Sequence, residues 1–277
     1  MLKDVTLGQF FPGNSFLHKA DPRIKLVVLV VYLVFVLLAK TAAALGIVLC
    51  VALTLAFISR IRFSILLRSL RPVIFILLFT GILNLFLTTG ETPLVEWKFL
   101  HIYPESIRMA VFMMLRLVCL VGGSSLLLSY TTSPLELTDA IESLFGPLKK
   151  LHVPVHEFAM MMTIALRFIP TLMEETDKII SAQKARGADF ESGGLIKKAK
   201  ALIPILIPLF VSAFRRADEL AEAMECRCYH GGEGRTKLKV IRSRPSDYVF
   251  LFLMLLVCGA ILPANWYLSF TVGAFTL

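Results

Sequence analysis

The chain has 277 residues, 57% hydrophobic and only 18% charged, a balance that excludes an ordinary water-soluble domain and points to a membrane protein. Its 29 Lys and Arg against 20 Asp and Glu leave a formal charge of +9. In a membrane protein such an excess collects in cytoplasmic loops, so no nucleic acid is expected as a partner. Three of the five cysteines, Cys50, Cys119 and Cys258, fall in apolar stretches where a thiol acts as a small hydrophobe, so no disulfide framework is implied.

Residues 1–21 are mixed and contain Gly and Pro, unlike a secretory signal, so the first apolar stretch is expected to stay in the mature protein. Leu26 to Ala39 and Ala42 to Ile58 read as a tight pair of spanning helices, with Asp21-Pro22 supplying an N-cap and a first-turn proline to the first. Ser59 to Arg71 alternates Arg60, Arg62, Arg68 and Arg71 with apolar residues, as an amphipathic segment on an anionic bilayer surface does. A third span is expected over Pro72 to Thr88. A fourth covers Ile107 to Tyr130, where Gly122, Gly123, Ser124 and Ser125 permit close helix approach. The last runs from Tyr248 to Leu262, with an extension to Tyr267 kinked at Pro263.

Loop charges orient these spans. Lys3, Lys19, Arg23 and Lys25 precede the first, and the four arginines separate the second from the third, which places the N-terminus and those loops in the cytoplasm and the C-terminus outside. Residues 131–247 hold 17 of the 29 basic and 15 of the 20 acidic residues, too many for a loop. Their pattern is helical: short over Pro134 to Leu148, long over Val155 to Arg186, long again over Leu195 to Tyr229. Gly146-Pro147, Gly187 with Gly193-Gly194, and His230-Gly231-Gly232 are the stops. Each long helix would extend about 48 Å, and each is apolar early and charged late. Pro170, Pro204 and Pro208 punctuate the apolar halves, which are read as lying along or beneath the bilayer; a topology in which both cross it stays open. The expected fold is an all-α membrane protein with about five transmembrane helices. Its divisions are a membrane region of about four transmembrane helices over 1–130, a charged cytoplasmic or interfacial domain of three helices, two of them long, over 131–247, and the last transmembrane helix with the C-terminus over 248–277.

Both long helices finish on an arginine among small residues, Ala185-Arg186-Gly187 and Cys226-Arg227-Cys228. An arginine there complements the helix dipole and offers a planar donor fork to carboxylates, while small neighbours let another protein approach the backbone. A pair of ordinary solvated arginines is the competing reading.

These two ends are similar to the paired Ala-Arg-Gly motifs that close the long helices of the T-components (EcfT/CbiQ-like) of energy-coupling-factor ABC transporters. Ser15-Phe16-Leu17-His18-Lys19-Ala20-Asp21-Pro22-Arg23-Ile24-Lys25-Leu26 resembles that family's opening signature, and the likeness in layout covers nearly the whole chain. The resemblance implies a non-catalytic scaffold, located in the cell membrane, in complex with two ABC-type ATPases (A and A′). It also implies a small substrate-binding membrane subunit, the S-component, that takes the vitamin or metal ion. ATP and magnesium would sit on the ATPases, with no cofactor, catalytic residue or metal on this chain. Arg186 and Arg227, flanked by Ala185, Gly187, Cys226 and Cys228, inherit the role of inserting into the ATPase grooves. The second motif departs from the pattern, reading Cys-Arg-Cys. Met160, Met161, Leu166, Ile169 and Leu172 are a candidate surface for the substrate-binding subunit, with internal packing as their alternative.

Other signals are weaker. Gly231-Gly232-Glu233-Gly234-Arg235-Thr236 lacks the spacing of a phosphate loop. His152 and His156 have a metal-like separation, but Pro154 interrupts the helix they would need. Arg116 lies inside a span, as a functional residue or a snorkelling one, and Asn84 is placed to bond a neighbouring helix. A stand-alone secondary transporter or channel is the alternative function. It would be expected to bury charge pairs across several spans, and only Arg116 qualifies. A membrane enzyme would need convergent His, Asp, Glu or Cys residues that cannot be assembled here.

Overall fold

The structure is a computed structural model that describes residue 11 and residues 13–87, 95–97, 100–188, 190, 194–232 and 243–271. The described chain is built from helices: α1 Phe16–Lys19, α2 Pro22–Leu38, α3 Ala42–Ser59, α4 Phe63–Leu70, α5 Ile74–Leu87, α6 Pro104–Ser124, α7 Pro134–Leu144, α8 Val155–Ala185, α9 Leu195–Cys226, α10 Pro245–Gly259 and α11 Ile261–Thr271. The all-α membrane architecture carries one small addition, an antiparallel pair β1 Val95–Trp97 and β2 Leu100–Ile102 in register Val95 to Ile102. The chain divides into two compact units. A membrane unit holds Gly8–Leu137 with Ile241–Leu277, and an arm unit holds Thr138–Val240, the boundary falling inside α7.

Four helical stretches of the membrane unit have the length and apolarity to cross a bilayer: Ala42–Ser59, Ser64–Leu87, Pro104–Ser129 and Pro245–Trp266. With 17 residues, α2 stands at the short end of the range that spans a hydrocarbon core. It is the centre of this unit. Ile24, Val28, Tyr32 and Val36 recur every fourth residue and are all buried, facing Val48, Val51 and Leu55 of α3 and Phe250, Met254 and Cys258 of α10. The outward residues are equally apolar, as Phe57, Phe75 and Leu87 show by their exposure, which suits a surface solvated by lipid.

Asp21 caps α2 as its sequence implies, accepting from Arg23 N at 2.9 Å. The amphipathic α4 is not separated from the third span; a 3₁₀ turn over Arg71–Val73 leads directly into α5, because Pro72 lacks the N–H that a continuous α-helix would use. The break in the last span falls at Ala260, between α10 and α11, and not at Pro263 itself. Pro263 has no N–H for the carbonyl of Gly259, four residues back, and its ring crowds that same group.

Arg116 is tied to the α2–α3 turn. Its Nη2 donates to Ala39 O at the C-cap of α2, and its guanidinium lies 4.7 Å from the Phe112 ring centroid. Asn265 of α11 completes the α2–α3 turn. Its Oδ1 accepts from Lys40 N at 3.0 Å and Thr41 N at 3.3 Å, and its Nδ2 donates to Leu38 O at 2.7 Å. A turn at the end of an apolar helix pair thus has its backbone groups satisfied by two distant side chains. Asn84, in contrast, bonds within its own helix, to Thr80 O at 2.8 Å.

The small-residue run of α6 serves close packing: a Cβ on Gly123 would overlap the Tyr32 ring, whose hydroxyl donates to Cys119 O at 2.8 Å. Replacing Gly123 by Ala is therefore expected to overpack the α2–α6 contact and cost about 1–3 kcal/mol. A lowered thermal midpoint of the purified protein in detergent is the readout.

Candidate coupling site

The arm unit contains two helices of 31 and 32 residues, α8 and α9, preceded by the end of α7 and a 3₁₀ turn over Gly146–Leu151. Neither long helix is among the stretches long and apolar enough to cross a bilayer. They pack against each other and run antiparallel, as three contacts show. Gln183 of α8 meets Pro204 near the start of α9, Glu175 meets Arg216, and Gly232, just past α9, meets His156 at the start of α8. The first contact has a specific cause. Pro208 cannot bond the carbonyl of Pro204, and Gln183 Nε2 approaches that orphaned oxygen at 3.5 Å.

The Glu175–Arg216 ion pair, 2.5 Å from Oε2 to Nη2, stands at matching positions on the two helices. Glu175 precedes Arg186 by eleven residues, and Arg216 precedes Arg227 by eleven. Eleven residues make close to three turns and about 16 Å. Each arginine therefore lies on nearly the same helical face as its helix's member of the ion pair. The two point away from it in opposite directions, up to about 33 Å apart. The hydrogen bond from Arg216, with a second from Ser212, holds the Glu175 carboxyl below its ordinary pKa.

The two arginines occupy the same local structure. Arg186 is the C-cap of α8 at φ/ψ −86°/7°, and Arg227 is the C-cap of α9 at −92°/14°. After Arg186, Gly187 N donates to Lys184 O and Ala188 N to Gln183 O, both at 3.0 Å. After Arg227, Cys228 N donates to Glu225 O at 2.8 Å and Tyr229 N to Met224 O at 3.1 Å. This is the Schellman pattern twice, with its left-handed position filled by Gly187 (φ 86°) in one and Cys228 (φ 56°) in the other. The Cys-Arg-Cys departure is thus conservative in backbone form: Cys228 takes a glycine's place, at a local cost of about 1–2 kcal/mol. Ala185, Arg186, Gly187, Cys226, Arg227 and Cys228 are all exposed.

The candidate apolar surface is less unified. At about 100° per residue, Met161, Ile169 and Leu172 share a face of α8, whereas Met160 and Leu166 lie off it; of the five only Met161 is exposed. An apolar cleft between α7, the 3₁₀ turn and α8, lined by Phe145, Leu148, Val153, Phe158 and Met162, went unread in the sequence because no periodicity joins those segments. His156 is not set up with His152, which takes a left-handed φ of 61° outside the helix. Instead its Nδ1 pairs with Glu142 Oε1 at 3.0 Å, and Gly232 packs against its ring. The described residues contain no cluster of three His, Cys, Asp or Glu able to hold a metal. The glycine-rich stretch from Gly231 continues into residues 233–236, which lie outside the described residues.

Fold and site together define a multi-spanning membrane protein that carries a unit of two long paired helices. Residues 13–238 match the family model of CbiQ, cobalt transport protein. The energy-coupling factor transporter transmembrane protein EcfT of Clostridium kluyveri is 52% identical over 269 residues, covering 96% of this chain and 99% of that protein. The protein of the same name from Ruminiclostridium cellulolyticum is 55% identical over 243 residues, 87% of this chain and 90% of its own length. The one from Bacillus subtilis is 44% identical over 263 residues, covering 95% and 98%. The chain belongs to the EcfT/CbiQ family of transmembrane components of energy-coupling factor transporters.

Two outcomes follow from this geometry. Cys228→Gly relieves the left-handed strain and should slow hydrogen exchange of the Tyr229 amide about fivefold, while Gly187→Ala should speed that of Ala188 by a similar factor. Because the folded-state pKa of Glu175 is lowered, its contribution is complete above the ordinary carboxylate range and disappears as pH falls through the lowered value. The stability difference between wild type and Glu175→Gln, read from thermal unfolding, should accordingly be present at neutral pH and vanish in acid.

Proposed function

We propose that this chain is the scaffold of an energy-coupling factor importer in which two ABC-type ATPase subunits, one at each end of the α8–α9 pair, engage Arg186 and Arg227. The observation that carries this reading is the equivalence of the two ends: the same cap, the same exposed arginine, and the same eleven-residue distance from one ion pair. Two like docking ends facing opposite ways fit two like partners. Each guanidinium offers a bidentate fork to a carboxylate in the partner's groove, and the exposed C-cap leaves the backbone within reach.

ATP and magnesium belong to those partners, and this chain performs no chemistry. When the ATPases close, they draw the two ends together or apart, and the ion-paired crossing turns that displacement into tilting of the apolar halves of α8 and α9. A separate small membrane subunit, the S-component, seated on those halves around Met160, Met161, Leu166, Ile169 and Leu172, would be turned by the movement and release its vitamin or metal ion. The arm unit, which spans most of the charged residues 131–247, faces the cytoplasm together with the N-terminus, and the C-terminus lies outside, as the basic loops favour. The site is the cell membrane.

Replacing both Arg186 and Arg227 by Glu puts a like charge against the partner carboxylates. Co-purification of the ATPases should be lost and uptake abolished, with α8 and α9 still helical by circular dichroism. Undiminished uptake in the double variant, or ion-driven uptake by the purified chain alone in liposomes, would overturn the proposal.

A further inference from the structure

The opening segment of the chain builds a second feature, which the docking ends do not use. Lys25, in the first turns of α2, is fully buried, although its place among the leading basic residues reads as a loop charge. Its ammonium donates to Thr131 O at 3.0 Å and to Thr132 Oγ1 at 3.2 Å, and the carboxylates of Glu136, Asp247 and Asp21 lie within electrostatic reach. Asp21 and Asp247 are themselves 3% and 2% exposed. Ser243 Oγ donates to Asp21 Oδ2 at 2.5 Å, and Asp247 Oδ2 accepts from Arg244 N at 2.9 Å.

These partners have a common place in the chain. Thr131 and Thr132 lie in the short link between the end of α6 and α7, just before Ser133 and Pro134, and through α7 the chain passes from the membrane unit into the arm unit at Leu137/Thr138. Ser243 to Asp247 is where the described chain resumes in the membrane unit at the start of α10. One buried lysine and its carboxylates thus hold both the departure and the return of the chain against the first turn of α2. A π-helical turn over Ser125–Ser129, closed by Tyr130 N to Ser125 O at 3.0 Å, widens the end of α6 immediately before the departure point.

A buried ammonium is costly unless its donors are satisfied, so these contacts matter: displacing either chain segment strips a partner from a buried charge. Apolar helix contacts slide, whereas these hydrogen bonds have direction. Resting on the importer reading above, we infer that Lys25, Asp21 and Asp247 form a positioning cluster, the fixed anchor in the membrane unit through which movement of the arm unit is delivered to the spanning helices. Without it the arms move and ATP is spent, but the displacement is taken up as slack at the two chain connections.

The test uses the assembled complex, this chain with its two ATPases and a substrate-binding subunit, in proteoliposomes, with ATP hydrolysis and substrate uptake measured on one preparation. Thr132→Val keeps the side-chain shape and removes one acceptor from Lys25; Lys25→Gln removes the charge. Both variants are expected to assemble, and Thr132→Val to hydrolyse ATP at the wild-type rate while uptake per ATP falls about fivefold. If Lys25→Gln fails to fold, Thr132→Val decides. Unchanged uptake per ATP in assembled Thr132→Val overturns the inference, and so does a parallel fall of hydrolysis, uptake and thermal stability, which marks a structural role only. A wild-type chain that does not assemble with ATPases would defeat the importer reading instead, so the two failures are separable.

Discussion

Every helix that ends or breaks leaves carbonyl oxygens without an intrahelical donor, and in a chain surrounded by hydrocarbon there is little water to take them. Much of this structure answers that constraint with a side chain carried from elsewhere. Arg116 of α6 and Asn265 of α11 serve the carbonyls of Ala39 and Leu38 at the α2–α3 turn. Gln183 turns to the oxygen that Pro208 leaves free, and Lys25 reaches Thr131 O. The long helices close their own ends with paired backbone bonds instead. Arg116, Asn265 and Lys25, which look misplaced in a hydrophobic sequence, are among the residues that hold its helix ends together.

The same constraint separates the two units. In the membrane unit, helix association gains little from the hydrophobic effect because lipid is as apolar as leucine, so contacts depend on close approach and polar links, as at Gly123 against Tyr32 and at the Lys25 cluster. In the arm unit the helices meet through an ion pair, an amide and a glycine on a histidine ring, contacts spaced along an antiparallel pair. The first unit is thus held by close packing and polar links, the second by a defined antiparallel crossing.

Local chemistry was legible in the sequence. Asp21-Pro22 starts α2, Gly146-Pro147 separates α7 from the following turn, and both long helices close on the two arginines within a few residues of the expected stops. The equivalence of the two arginine ends was also visible, but not that Cys228 stands in for a glycine, which only φ reveals. What stayed hidden depends on partners distant in sequence. Lys25 counts as a loop charge until Thr131, 106 residues away, is brought beside it. Arg116 was left between function and snorkelling because its acceptor, 77 residues away, belongs to another helix pair. Asn84 misled for the opposite reason, since an amide in an apolar helix can satisfy itself one turn back.

The equal spacing of Arg186 and Arg227 from their ion pair places a demand on length more than on composition. Inserting or deleting one residue between Glu175 and Arg186 would swing that arginine by about 100° and shift it by about 1.5 Å, while its counterpart on α9 stayed put. Substitutions along these eleven-residue segments leave both ends in phase; a change in their number does not. The residue count of the stretches 175–186 and 216–227, more than their composition, therefore sets where the two arginines stand relative to the ion pair.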